Sequence, residues 1–126
     1  MSQGFTSGRA PGFVSVVIDG QGGIPSSGST EYDLIPSLSY GIIFTDWYCK
    51  GAPDQTGSIQ FDILKNGVSV IGGGTKPFIT AANSNSDDND WDDNDFNIGD
   101  RISCKIDSVS TFTRCVLQLN GIKYGI

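Results

Sequence analysis

The densest chemistry in the chain lies between Ala82 and Asn97, where Asp87, Asp88, Asp90, Asp92, Asp93 and Asp95 fall within nine residues. Overlapping Asp-x-Asp-x-Asp/Asn runs can supply the roughly six to eight oxygens that a hard cation such as Ca²⁺ takes. Asp88, Asp90 and Asp92 are the candidate ligands. The EF-hand pattern is not met. Counted from Asp88, the sixth position holds Asp93 rather than glycine and the twelfth Gly99 rather than glutamate. Counted from Asp90, those positions hold Asp95 and Arg101. The plainer reading is a solvated loop or edge strand whose carboxylates repel one another and become better ordered in salt or Ca²⁺. No cofactor other than that candidate Ca²⁺ is expected.

Trp91 and Phe96 interrupt the acid run. An aromatic in an otherwise polar strand usually anchors to a core. The alternative is a glycan face, with Trp91 and Phe96 stacked on a sugar ring while Asp90, Asp92 and Asn94 bond its hydroxyls. Trp47 alternates with Ile43 and Cys49 and reads as core, whereas Tyr32, Tyr40 and Tyr48 suit a binding or subunit face. The chain has no histidine, which removes Ser-His-Asp triads, Cys-His pairs and His-ligated zinc. Gly72-Gly-Gly-Thr-Lys76 lacks the spacing of a phosphate loop and reads as a strand connection. Hydrolysis by a carboxylate pair stays formally open, but nothing marks one acid as a proton donor. No catalytic residue is assigned, and an enzyme is not expected.

The formal charge of −6 belongs almost wholly to this window, because the remaining eight acids balance the eight bases. Scattered bases on a neutral body do not make a phosphate-binding face, so no nucleic-acid partner is expected. Met1–Pro11 is polar and lacks an apolar stretch, so neither a signal peptide nor membrane insertion is expected. Cys49, Cys104 and Cys115 match no zinc or redox spacing and read as buried thiols of a protein made in a reducing cytoplasm.

The elements that must position these residues are strands. Seventeen glycines and five prolines punctuate the 126 residues, and no apolar period of 3.6 is sustained. Strand-like runs occur at Phe13–Ile18, Thr30–Ile35, Ser39–Lys50, Gly57–Leu64, Val68–Gly72, Pro77–Thr80, Arg101–Asp107, Phe112–Asn120 and Ile122–Ile126. Many short strands at this spacing predict an all-β, antiparallel, jelly-roll-like sandwich. The predicted domain is 13–126, preceded by a polar arm, 1–12, that docks on a partner through Phe5, Arg9 and Phe13. Asn66-Gly67 predicts a type I′ hairpin with Lys65 opposite Val68 and with Ile59, Phe61 and Ile63 on one face. A second hairpin is predicted between Arg101–Asp107 and Phe112–Leu119. Its register sets Cys104 opposite Cys115 as neighbouring thiols rather than a disulfide.

Several short pieces, in order, resemble a β-sandwich domain of bacteriophage virion proteins of the tail-fibre and receptor-binding type. They are Gly23-Ile-Pro-Ser-Ser-Gly28, Pro36, Asp46-Trp47, Gly57-Ser-Ile-Gln-Phe-Asp-Ile-Leu-Lys-Asn-Gly67, Lys76-Pro77, Trp91, Gly99-Asp100 and Thr113-Arg-Cys-Val-Leu-Gln-Leu-Asn-Gly121. The resemblance spans about Val17 to Gly121. It implies a virion surface protein, made in the host cytoplasm, that contacts other virion proteins and host surface glycans as a homo-oligomer, trimer favoured. Capsid decoration, or a free lectin-like carbohydrate-binding module, is the alternative.

Overall fold

The computed structural model describes residues 10–125, which form ten strands and no helix. In chain order they are β1 (Ala10–Asp19), β2 (Glu31–Ile35), β3 (Gly41–Gly51), β4 (Gly57–Lys65) and β5 (Val68–Ser69). Then follow β6 (Phe78–Ala82), β7 (Ser84–Asp88), β8 (Asp95–Phe96), β9 (Ile102–Ser110) and β10 (Arg114–Tyr124). One sheet runs β1-β10-β3-β7 with β8 also on β3, and the other β2-β9-β4-β5 with β6 also on β4. All pairs are antiparallel. Successive strands largely switch sheets, which is the jelly-roll order.

Period-two patterning explains the core. β3 sends Ile42, Phe44, Trp47 and Cys49 inward, and β10 sends Cys115, Leu117 and Leu119. From the facing sheet come Ile59, Phe61 and Ile63 of β4, with Ile102, Cys104 and Ile106 of β9. The first predicted hairpin is present. Asn66 and Gly67 have φ of 51° and 85°, as a type I′ turn requires, and Lys65 pairs with Val68.

The second predicted hairpin is not formed. β9 pairs with β2 and β4, whereas β10 pairs with β1 and β3. The two strands alternate in step because both face one core from opposite sheets, not because they are bonded to each other. Cys104 accordingly sits opposite Ile63 and Tyr32, and Cys115 opposite Gly51 and Ile18. The predicted final strand is the end of β10, separated by a bulge at Asn120/Gly121. A Cβ at Gly121 would stand 2.3 Å from the Ile43 carbonyl oxygen, so this crossing needs glycine. The first strand starts at Ala10 rather than Phe13, and the acidic window contributes β7 and β8.

All three cysteines are buried free thiols. Burial, with the nearby Cys115 thiol adding to it, pushes Cys104 up to about 12. Burial likewise pushes Cys115 up to about 11, against a backbone hydrogen bond with Lys50 that pulls the other way. A thiol-specific disulfide-exchange reagent should therefore titrate none of them in the native protein and all three once the chain is unfolded. A purified chain with a Cys104–Cys115 disulfide would contradict this placement.

Candidate functional site

The acidic window is a strap across one end of the sandwich rather than a projecting loop. β7 and β8 both bond to β3, and between them Asn89 N–H donates to the Thr45 oxygen and Phe44 N–H to the Asn94 oxygen, each at 2.9 Å. On the other side, the Asp92 and Asp93 amides donate to the Ile71 and Val70 oxygens at 3.2 Å. The strap thus links the first sheet to the segment that follows β5 in the second.

Its aromatics fill that end. Trp91 is 6% exposed and Phe96 fully buried; their rings pack on Phe44 at 6.1 and 5.3 Å between centroids. Trp91 Nε1 donates to the Thr75 oxygen at 3.0 Å. Neither ring offers a face to a sugar, so the glycan-face alternative is corrected and the core-anchor reading of both aromatics holds. Asn94 donates through Nδ2 to the Phe44 oxygen, also a structural bond.

Three carboxylates of the strap are bonded to neighbouring groups. Asp90 accepts from the Thr75 amide at 2.8 Å and the Thr75 hydroxyl at 2.9 Å, and these bonds hold it below the ordinary carboxylate range. Burial pushes Asp93 up, but the Lys65 ammonium at 2.6 Å and the Asp95 amide outweigh it, leaving its carboxyl lowered. The Tyr124 hydroxyl donates to Asp95, and that bond, with some burial, pushes the phenol up to about 12. Asp92 packs against Gly72, and Asp88 lies exposed on β7. The three candidate Ca²⁺ ligands therefore do not converge: Asp90 is taken up by Thr75, Asp92 lies against Gly72 and Asp88 is exposed. Among the described residues no group of three acids, Cys or His is gathered as metal ligands would be.

Gly72 and Gly74 are the strap's counterpart, which the sequence reading passed over as a simple connection. Gly72 has φ +57°, and a Cβ there would stand 1.9 Å from Asp92 Oδ2. One at Gly74 would stand 2.4 Å from the Asp90 oxygen. The signal that could have found this contact is a run of three glycines shortly before an aromatic-acidic run.

The two outer faces of the sandwich differ in chemistry. On β2-β9-β4, Lys105 lies in register between Glu31 and Asp62, Arg101 bonds Glu31 and Asp33, and Lys76 bonds Asp107. That face is ionic and hydrated. On β1-β10-β3 the outward positions include Phe13, 59% exposed, and Val17, 48% exposed, with Tyr48 and Ile122. Its central carboxylate, Asp46, is taken up by Thr45 Oγ1 at 2.8 Å and Asn120 Nδ2 at 2.7 Å. The same face carries Lys50, Arg114 and Asp19, so exposed apolar and charged side chains share it. Phe13 belongs to it; Phe5 and Arg9 lie outside the described residues.

No family model matches the chain. No curated protein is significantly similar to it in sequence. The fold is similar to that of a chain in the capsid asymmetric unit of cyanophage Pam1, over 98% of this chain and 89% of that one. The TM-score is 0.51 and the identity 11%, so the likeness is one of fold. The catalytic domain of a GH87 alpha-1,3-glucanase in complex with nigerose aligns over 87% of this chain and 21% of that one, at 14% identity. Its TM-score of 0.39 is too low to carry any inference.

The strap makes two tests available. Gly74→Ala should cost on the order of 1–3 kcal/mol by forcing the strap outward and shift tryptophan fluorescence to the red. Gly73→Ala, where a Cβ meets nothing within 4 Å, should do neither. The second test is acid. Asp90, Asp93 and Glu31 have lowered folded-state values. Their contribution is present above the unfolded carboxylate pKa of about 4 and is lost as pH falls through the lower folded values. The melting temperature should fall steadily as the pH is lowered through that range; a rise on acidification would mean that repulsion in the window dominates.

Proposed function

We propose that this chain is a structural protein of a bacteriophage virion, a surface component of the head shell. The observation that carries this is the fold likeness along nearly the whole of both chains to a member of a capsid asymmetric unit. The share of each chain covered means that the two are of similar length. Two further features support it. The jelly roll recurs in capsid and lectin domains, and the β1-β10-β3 face exposes Phe13, Val17, Tyr48 and Ile122 between the charged side chains of Asp19, Lys50 and Arg114, a mixed surface suited to other virion proteins.

In this reading the protein acts through repeated contacts and not as an enzyme, each weak contact multiplied by the number of copies on one particle. The β1-β10-β3 face lies against the shell and the ionic β2-β9-β4 face turns to solvent. Synthesis in the host cytoplasm agrees with three thiols kept reduced. Between the tail-fibre role implied by the sequence resemblance and the head, we take the head on the strength of the fold likeness to a chain of a capsid asymmetric unit. Trp91 and Phe96, being buried, leave host-glycan contact without its expected platform.

Antibody against the purified chain should label heads of intact particles, and head fractions should contain it. Label confined to tails would replace this reading with the tail-fibre one, and glycan binding with no particle label would replace it with the lectin one. Within the head reading, Tyr48→Asp on the β1-β10-β3 face should reduce incorporation about tenfold or more, since a buried unpaired charge costs several kcal/mol. Lys105→Glu on the ionic face should leave incorporation unchanged.

A further inference from the structure

Four strand edges bound the two sheets, and three are guarded. β7 carries Asp87 and Asp88, β2 carries Glu31 and Asp33 bonded to Arg101, and β5 and β6 are two and five residues long. Charge and brevity are the usual means by which a sheet edge avoids pairing with another chain. β1 has neither. It is ten residues long, holds no charged residue from Ala10 to Ile18, and pairs only with β10 among the described residues.

The direction of its free groups follows from one bond. Gly20 N–H donates to the Thr113 oxygen at 2.8 Å, continuing the register in which Asp19 faces Arg114. In an antiparallel ladder, bonded and non-bonded residues alternate. Val14, Val16 and Ile18 therefore bond to β10, while Phe13, Ser15 and Val17 direct their N–H and C=O groups to the open edge. Pro11, which has no N–H to give β10, falls in the same outward set, as a proline in a ladder should.

We propose that this edge pairs with itself: two copies of the chain join β1 to β1, antiparallel, across a two-fold axis at Ser15. In that register Phe13 of one copy stands opposite Val17 of the other, and Ser15 opposite Ser15. About six backbone hydrogen bonds form across the axis. The two most exposed apolar side chains of β1 cover each other's flanks. The outer face then continues without a break across both copies.

Charge selects a second copy as the occupant. The protein is strongly acidic, and pairing any other long edge with its like would set carboxylates against carboxylates. Across the β1 axis the nearest acids on the strands are the two Asp19 side chains, about 27 Å apart along the strand direction, well beyond a Debye length of about 8 Å. This assembly stands or falls independently of the virion reading.

Sedimentation velocity of the purified full chain over a wide concentration range should show a monomer–dimer equilibrium. Ser15→Pro removes an N–H that points at the second copy and none that bonds β10, so it should weaken the dimer about tenfold or more with the melting temperature of the monomer retained. A cross-linking series keeps the test independent of that variant's folding. Ser15→Cys should form an intermolecular disulfide on mild oxidation, because residue 15 meets itself at a Cα separation of about 5.5 Å. Phe13→Cys and Val17→Cys, each about 14 Å from its own copy, should not. A monomer at every concentration, or equal cross-linking at all three positions, would overturn the proposal.

Discussion

One constraint governs this molecule: two sheets, each apolar on one face, must close on each other although the strands that follow one another in the chain lie in opposite sheets. Phe44 and Trp47 from one sheet and Phe61 and Ile63 from the other are buried together at the centre. Their burial is the main favourable contribution to folding. Everything else serves closure. β10 lies between β1 and β3, the bulge at Gly121 turns its end across β3, and the acidic strap seals an end with Trp91.

This constraint also decides what the sequence could reveal. Inward and outward positions of β4, β9 and β10 were legible because side-chain period is a local property. The Asn66-Gly67 turn was legible because both residues must take positive φ. Partners were not legible: Cys104 and Cys115 lie at matching inward positions whether their strands are bonded neighbours or face each other across the core. Alternation reports which way a residue points and is silent on which strand lies beside it. The strap was legible only in part for a related reason. The exposed edge strand expected of an acidic run is present as β7, but Asp90, Asp93 and Asp95 find Thr75, Lys65 and Tyr124, far away in sequence, and the backbone bonds to β3, Val70 and Ile71.

The contrast between the outer faces was hidden until the sheets were assembled. Phe13, Val17, Tyr48 and Ile122 are scattered over more than a hundred residues and share a surface only through the β1-β10-β3 pairing. The Glu31–Lys105–Asp62 group gathers on the other sheet by the same logic. A sandwich with one ionic outer face and one that mixes exposed apolar side chains with charged ones is suited to sit between water and another protein. That is the physical content of the proposed place on a shell, and the acidic strap, tied down on both sides, is part of the building.

Electron cryomicroscopy of particles that carry this chain tests the account most directly, since it locates the sandwich and orients it together. The expected map has the sandwich on the head, with the β1-β10-β3 face against other protein and the Glu31–Lys105–Asp62 face turned to solvent. A sandwich on the head with those faces reversed, or one found only on the tail, would contradict it.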